Sequence, residues 1–287
     1  MILKQYGIFH VHTHRCGHAE NISDEEYIKK AIDMSAKDIW FTDHAPFPGD
    51  PFGNRMKYSQ LDEYISTLES LKYMYKDKIT VHIGLEIEYF PSFDAYYKEL
   101  LKVKEIEILL LGQHMYELND GRFNFELCDE ERQKKEMEGI TQSLVQGINT
   151  GYFSVCAHPD RTFRYQKEWN NEVSKNAKMI IKAAYDKNVI LEKNIGLRKK
   201  MLYRNEFWKM TDFSKPVVVG VDAHNVNDLN ELLPNNRISS MRGNLTQARF
   251  SQITDIPIGT IRDWEYGRRV PAPYIIDMID NQLDYYL

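Results

Sequence analysis

The chain holds nine histidines, and seven of them stand at or just beyond the end of an apolar run. The runs are YGIFHVH, ending in His10 and His12; DIWFTDH, ending in His44; IEILLLGQH, ending in His114; FSVCAH, ending in His158; and VVVGVDAH, ending in Asp222 and His224. His18 follows in the loop after the first run, and ITVHIGLE delivers a carboxylate, Glu86, at another such end. Imidazole nitrogens and carboxylate oxygens are the ligand set that zinc, manganese and iron accept without thiolate help. One buried histidine alone is ordinarily a hydrogen-bonded core residue. Seven at successive run ends, joined by Glu86 and Asp222, predict a multinuclear metal site.

The spacing assigns work within that set. His10 and His12 lie two apart, and alternate residues of a strand share a face, so the pair is expected to chelate one ion. Glu86 carries two oxygens on one side chain and is the natural bridge between two cations, an arrangement that polarises a phosphoryl oxygen and makes hydroxide at neutral pH. Asp43, directly before His44, is expected to orient a ligating histidine rather than bind metal itself. Glu88 shares the parity of Glu86 and is read as an orienting partner or a rim residue. His14 is read as a loop side chain near the mouth, and His82, in mid-run, as structural. The three cysteines, Cys16, Cys128 and Cys156, have no C-x-x-C spacing and are read as reduced bystanders.

Such ligands need elements to position them. Helical segments separate the runs: SDEEYIKKAIDMSA, SQLDEYISTLESLKYMY, FDAYYKELLKVK, CDEERQKKEMEGITQSLVQGI and SKNAKMIIKAAYDKN. In the first, Ser23 and Glu26 have the spacing of a capping box, and Tyr27, Ala31 and Met34 fall on one helical face. The strands are expected near 6–12, 38–42, 79–86, 107–113, 153–157, 189–192 and 216–222. Their aliphatic, non-alternating content suits strands covered on both sides. The predicted fold is α/β, a distorted seven-stranded (β/α)7 barrel over residues 1–235 with a small all-α appendage over 236–287. Parallel barrels gather catalytic groups at strand C-termini, where these histidines stand.

At 287 residues, 43% hydrophobic and a net charge of -5, the chain has the composition of an ordinary globular protein. The start, MILKQYGIFH, lacks a secretory signal's apolar stretch and no run reaches membrane-spanning length, so a cytoplasmic location without a membrane partner is expected. Mild acidity argues against a general nucleic-acid coat.

Taken in order, H-V-H, C-G-H, F-T-D-H-A-P, G-L-E, the glycine-x-His of LLLGQH, A-H-P-D and V-D-A-H resemble the PHP (polymerase and histidinol phosphatase) superfamily across almost all of residues 1–230. F-T-D-H-A-P-F-P, N-R-M-K-Y-S-Q-L-D-E-Y, G-L-E-I-E-Y and G-L-R-K are similar to its monofunctional histidinol-phosphatase branch. The resemblance implies three divalent ions (Zn, Mn or Fe): one on His10, His12, Glu86 and Asp222, one on Glu86, His114 and His158, and one on His18, His44 and His224. It implies hydrolysis of a small phosphomonoester, with L-histidinol phosphate first among substrates, by a hydroxide held between two metals and with no serine or cysteine nucleophile. Arg161, directly after A-H-P-D, and Arg198, within G-L-R-K, are the candidates for stabilising the phosphoryl oxygens, because guanidinium binds them bidentately; Arg55 and Lys199 are second choices. Beside this reading stand a related phosphoesterase acting on a nucleotide or phosphotyrosine, and a DNA-binding regulator whose barrel senses a ligand. The complete ligand set weighs against the last. The passage Glu192-Lys193-Asn194-Ile195-Gly196 is one residue shorter than the family's usual form.

Residues 245–271 resemble the helix-turn-helix of the Cro/CI repressor class, with Leu245, Phe250, Ile253, Ile256, Ile261 and Trp264 as its small core. The resemblance implies that Gln247 and the helix beginning near Pro257 would face a DNA major groove. Residues 236–287 carry six arginines and no lysine against five aspartates and one glutamate, a zero sum. A DNA reader ordinarily shows a basic face. Packing on the barrel or association with another chain, an oligomer included, is therefore expected ahead of DNA.

Overall fold

The computed structural model describes residues 7–199, 202–212 and 214–286. Seven parallel strands, β1 (Gly7–Val11), β2 (Asp38–His44), β3 (Thr80–Ile87), β4 (Ile108–Leu111), β5 (Val155–Cys156), β6 (Ile190–Asn194) and β7 (Val217–Gly220), lie side by side in chain order. The ring is completed where the chain after β7 meets β1: Val221 N–H donates to Phe9 O at 3.0 Å, Ala223 N–H to His10 O at 3.0 Å, and His12 N–H to Ala223 O at 2.9 Å. The helices α1 (Asp24–Asp33), α2 (Leu61–Tyr75), α3 (Asp94–Leu100), α4 (Asp129–Thr150), α5 (Asn171–Lys187), α6 (Ile195–Lys199) and α7 (Asn205–Trp208) fill the crossovers. This is the expected seven-stranded barrel, and parallel neighbours require such crossovers.

The period of two decides what each strand contributes. On β3, Val81, Ile83, Leu85 and Ile87 are buried in the outer core with Tyr64 and Leu68 of α2, while Gly84 and Glu86 take the other face. A second apolar cluster, Phe9, Trp40, Ile108, Leu110, Val155, Ala157 and Val218, comes from that inner parity and plugs the barrel. The histidine and carboxylate candidates at the strand C-termini therefore lie above this plug.

Two local expectations are corrected. Ser23 is the N-cap of α1, but its side chain makes no cap hydrogen bond, and Glu26 pairs with Lys29 at 2.9 Å, so no capping box forms. Three acidic residues, Asp24, Glu25 and Glu26, occupy that first turn instead and complement the helix dipole. In β1 the register with β2 shifts between Ile8 and Val11, and His10 has φ 70°. That irregularity lets Phe9 join the inner plug while His10, its neighbour, also turns inward. Simple alternation does not explain how His10 and His12 meet.

The helices α8 (Pro234–Arg242), α9 (Gln247–Thr254), α10 (Ile258–Glu265) and α11 (Pro273–Tyr286) share a core of Ile238, Met241, Phe250, Ile253, Ile261, Ile276, Ile279 and Leu283, against which Leu245, Ile256 and Trp264 pack. They also dock on the barrel. Lys193 of β6 is buried, and its Nζ donates to Asp284 at 2.5 Å and Asp280 at 3.4 Å, both on α11; Tyr203 Oη donates to Asp284 at 3.0 Å. Among the described residues no helix is long and apolar enough to cross a membrane.

Candidate metal centre

Glu86 ends β3 at 1% exposure and faces five imidazoles with two oxygens. Its Oε2 lies 3.4 Å from His10 Nε2, 3.5 Å from His12 Nε2 and 3.0 Å from His44 Nδ1. Its Oε1 lies 2.9 Å from His158 Nε2 and 3.7 Å from His114 Nε2. Gly112, beside it on the neighbouring strand's extension, leaves room for the carboxylate: a Cβ there would lie 1.9 Å from Glu86 Oε1, so any larger residue would displace it. Asp222 adds Oδ1 at 3.1 Å from His12 Nε2 and 3.7 Å from His10 Nε2. His18 joins from its loop, its ring centroid 5.3 Å from that of His44 and 4.5 Å from that of His224. Ligand atoms of His10, His12 and Glu86, of His44, Glu86 and His114, and of His12, His44 and His224 lie within 4.8 Å of one another in each trio.

The backbone is bent to achieve this. His10 at φ 70°, His158 at 31° and Asp222 at 52° all occupy the left-handed region, which costs a non-glycine residue of order 1–3 kcal/mol. Asp222 lies past the end of β7, and β5 stops two residues before His158. These turns shorten the strands relative to the runs 216–222 and 153–157.

Outer nitrogens of four imidazoles, those of His10, His18, His114 and His224, are held by oxygen, and that of His12 faces a carboxylate. His10 Nδ1 lies 2.7 Å from Glu192 Oε1, His12 Nδ1 3.4 Å from Asp43 Oδ1, and His114 Nδ1 3.1 Å from Glu88 Oε1. His18 Nδ1 meets Cys16 O at 3.1 Å and His224 Nδ1 meets Asp222 O at 3.0 Å. Asp43 in turn accepts from Thr13 Oγ1 and from His44 N–H at 2.8 Å. The opposite atoms, His10 Nε2, His12 Nε2, Glu86 Oε2 and His224 Nε2, are buried with no hydrogen-bond partner. Buried polar atoms are rarely left so. Outer nitrogens fixed and inner lone pairs converging are what divalent metals require of histidine, so the residues fit the cations expected from the sequence.

Electrostatics agree. Burial lowers the pKa of His114 to about 4 and that of His224 to about 3, with the neighbouring His12 adding to the latter; both are neutral ligands near pH 7. Burial opposes a charge on His10 too, but Glu192 first and Glu86 next outweigh it and raise its pKa well above the ordinary value. His12, likewise buried, is raised to about 9 by the adjacent carboxylates of Asp222 and Asp43. Glu86 and Asp222 stay ionised despite burial, held down chiefly by His44 and His10 respectively. A pocket that draws protons onto imidazoles is short of positive charge, and metal binding replaces those protons.

The remaining candidates separate. Arg161 lies beside the centre with no hydrogen bond or ion pair from its guanidinium to any described residue; burial and then Arg164 lower its pKa to about 10, so it remains charged near pH 7. Arg55 is corrected: its Nη1 and Nη2 donate to Glu88 at 2.8 and 3.1 Å beneath Phe47 and Phe52, so its bidentate edge already has a carboxylate, and it holds Glu88 rather than waiting for phosphate. Arg198 and Lys199 fall in α6, and their side chains lie outside the described residues. His14 is half-exposed, 3.9 Å from Asp24, and His82 is stacked on Trp40 at 3.9 Å and paired with Glu107. Cys16 lies close enough to His18 and His224 to be a ligand, but burial pushes its thiol up to about 12 and keeps it protonated. Arg15, at 5% exposure, ties this first loop to Asp24 and to both oxygens of Glu63. Sequence reasoning passed over Glu192, although a lone glutamate closing the apolar run VILE repeats the signal that singled out Glu86.

A cavity of about 1070 Å³ lies elsewhere, between the barrel wall and the C-terminal helices. Its Lys193 and Arg237 are already paired, with Asp284 and Asp277.

Comparison with known proteins places these features in context. The sequence model described as PHP domain matches residues 9–195. A probable histidinol-phosphatase of Deinococcus radiodurans is 28% identical over 160 residues, 53% of this chain and 59% of that protein. The histidinol-phosphatase of Bacillus subtilis is 32% identical over 91 residues, 30% of this chain and 34% of that protein. The matches thus span less than two thirds of these relatives' own length. The crystal structure of histidinol phosphate phosphatase from Lactococcus lactis, complexed with zinc, L-histidinol and phosphate, superposes with a TM-score of 0.59 at 18% identity, covering 79% of this chain and 92% of that one. At that identity the likeness is one of fold.

Proposed function

The chain belongs to the PHP domain family, and on that premise we propose that it is a metal-dependent phosphatase of small phosphomonoesters, with L-histidinol phosphate as substrate and L-histidinol and phosphate as products. One observation carries the reading: buried, partnerless atoms of His10, His12, His224 and Glu86 converge while the outer ring nitrogens of His10, His114 and His224 are fixed by oxygen. The histidinol-phosphatase relatives, and the zinc, histidinol and phosphate bound by the Lactococcus lactis enzyme, support it.

We assign His10, His12, Glu86 and Asp222 to one cation, Glu86, His114 and His158 to a second, and His18, His44 and His224 to a third, with zinc, manganese or iron suiting the donors. Divalent cations held there would supply Lewis acidity toward a phosphoryl group and acidify water into a nucleophile near pH 7. The chain's own part is placement and charge. Glu86 turns one oxygen to each side of the centre. Arg161 offers N–H donors to the equatorial oxygens, where negative charge concentrates during transfer. Arg198 is the second donor in this assignment. Asp43, Glu88 and Glu192 keep His12, His114 and His10 from rotating.

A panel of L-histidinol phosphate, nucleoside monophosphates and phosphotyrosine, run with metal analysis, tests the proposal. The largest kcat/KM is expected for L-histidinol phosphate. Preference for a nucleotide or phosphotyrosine would move the chain to a sister activity on the same barrel; bound metal without hydrolysis of any ester would make it a sensor.

A second role, for the tail alone, is favoured by the way its charges are sorted. Most of its acids are engaged: Asp280 and Asp284 meet Lys193 in a buried place, Asp277 meets Arg237 at the surface, and Glu265 meets Arg242 and Gln247, while Asp255 is exposed. Arg249, Arg262, Arg268 and Arg269 are exposed, facing Asp263 and little else acidic. Four of the tail's six arginines are thus exposed, although Gln247 is committed to Glu265 and is not available to read a groove. Anisotropy of labelled duplex DNA against salt tests this role. Affinity that falls steeply with salt and drops in Arg262→Ala supports it; no binding at low salt removes it.

A further inference from the structure

Glu192 is fully buried in β6 and uses both of its oxygens. Oε1 lies 2.7 Å from His10 Nδ1, and Oε2 accepts from His158 N–H at 2.9 Å. His10 and His158 come from β1 and from the turn after β5, so one carboxylate reaches the adjacent strand on one side and, past β7, the first strand of the ring on the other. Both residues also hold left-handed backbone, φ 70° and 31°, that ordinary strand hydrogen bonding does not maintain. Room for this carboxylate is reserved: a Cβ on Gly220 of β7 would lie 1.6 Å from Glu192 Oε1.

We propose that Glu192 is a positioning residue that holds two candidate ligands of different cations at once, fixing the tautomer and direction of His10 and the strained turn that aims His158 at Glu86. The proposal rests on the metal assignment made above. Its chemistry is that of the acceptor. A carboxylate accepts at both oxygens, whereas glutamine has one acceptor and one donor and leaves either His10 Nδ1–H or His158 N–H facing another N–H. Fixing Nδ1–H to Glu192 leaves the Nε2 lone pair of His10 directed inward, and removing such an outer partner typically costs about 10- to 100-fold in metal affinity.

The test compares the parent with Glu192→Gln, Glu192→Asp and Gly220→Ala by zinc titration and metal content per chain, beside nitrogen-15 NMR of the metal-free chains. Expected are roughly 10- to 100-fold weaker binding at the positions served by His10 and His158 in Glu192→Gln, retained zinc on the His18, His44 and His224 side, and a similar loss in Gly220→Ala, where Glu192 is present but displaced. In the metal-free parent, the Nδ1–H resonance of His10 should be shifted downfield, and Glu192→Gln should move it back. Parental zinc affinity and content in a folded Glu192→Gln chain would overturn the proposal. Should Glu192→Gln not fold, Gly220→Ala and Glu192→Asp carry the same comparison, and parental binding in both overturns it. A parent that binds no zinc defeats the metal assignment instead; the His10 resonance then decides, and its absence downfield overturns the role of Glu192.

Discussion

Five imidazoles converge on the two oxygens of Glu86, and no other side chain could replace it without stranding them. Glu86→Ala and His158→Ala should each lower phosphate release by at least about 100-fold and reduce bound metal, checked by turnover and elemental analysis on the same samples. Full activity in either variant would show that the ligands are misassigned. A separate residue-scale effect concerns pH. Hydrogen bonds from Arg15 hold the Glu63 carboxyl near 2, below its ordinary 4.5. A depressed carboxylate contributes stability that is present above pH 4.5 and is lost as pH falls toward 2. Because the Glu63 side chain is 56% exposed, the contribution after solvent screening should be below about 1 kcal/mol. Chelator-treated Glu63→Gln should therefore melt slightly below the parent at pH 7, with the gap closing by pH 2; a gap that widens in acid contradicts the pairing. Most of this candidate site could be picked out beforehand, because candidate ligands for such cations are histidine or carboxylate and their types announce themselves. Arg55 was misjudged for the converse reason: an arginine's type does not say whether a carboxylate already occupies it. Only folding brings Glu88, distant in the chain, against it.

At the scale of elements, the strands were readable from their aliphatic runs, but the turns that end them were not. His10, His158 and Asp222 adopt positive φ without being glycine, and nothing in residue type predicts that, since the strain is imposed by closure of the ring and by groups such as Glu192 and Ala223. The bulge in β1 likewise arises from pairing with two neighbours of different register. Close approach leaves its own mark in glycine. Gly112→Ala would drive a Cβ into Glu86, so that variant should fold with reduced metal content and a phosphate-release rate lowered in proportion, as measured by zinc titration; unchanged binding would mean that the strand ends can shift apart freely. On the outer side of β6, Lys193 joins the barrel to α11. Lys193→Ala removes the buried ammonium that Asp280 and Asp284 share and should lower the unfolding midpoint, whereas Lys193→Met together with Asp284→Leu should recover much of the loss.

For the whole molecule, ions bound only by the folded state add stability by mass action, about 2.7 kcal/mol for each site at a hundredfold excess over its Kd. Chelation should lower the melting temperature, and readdition of zinc should restore it. The C-terminal helices are tied to the barrel through Lys193, Tyr203 and α11, contacts that a division at 235 read from composition does not disclose because they depend on one outward-facing strand residue. The central claim is metal-dependent hydrolysis at the strand C-termini, and phosphate release from L-histidinol phosphate by chelated and zinc-, manganese- or iron-reconstituted protein tests it most directly. Saturable release that chelation abolishes and at least one metal restores is the predicted result; stoichiometric metal on a folded chain that frees no phosphate would contradict it.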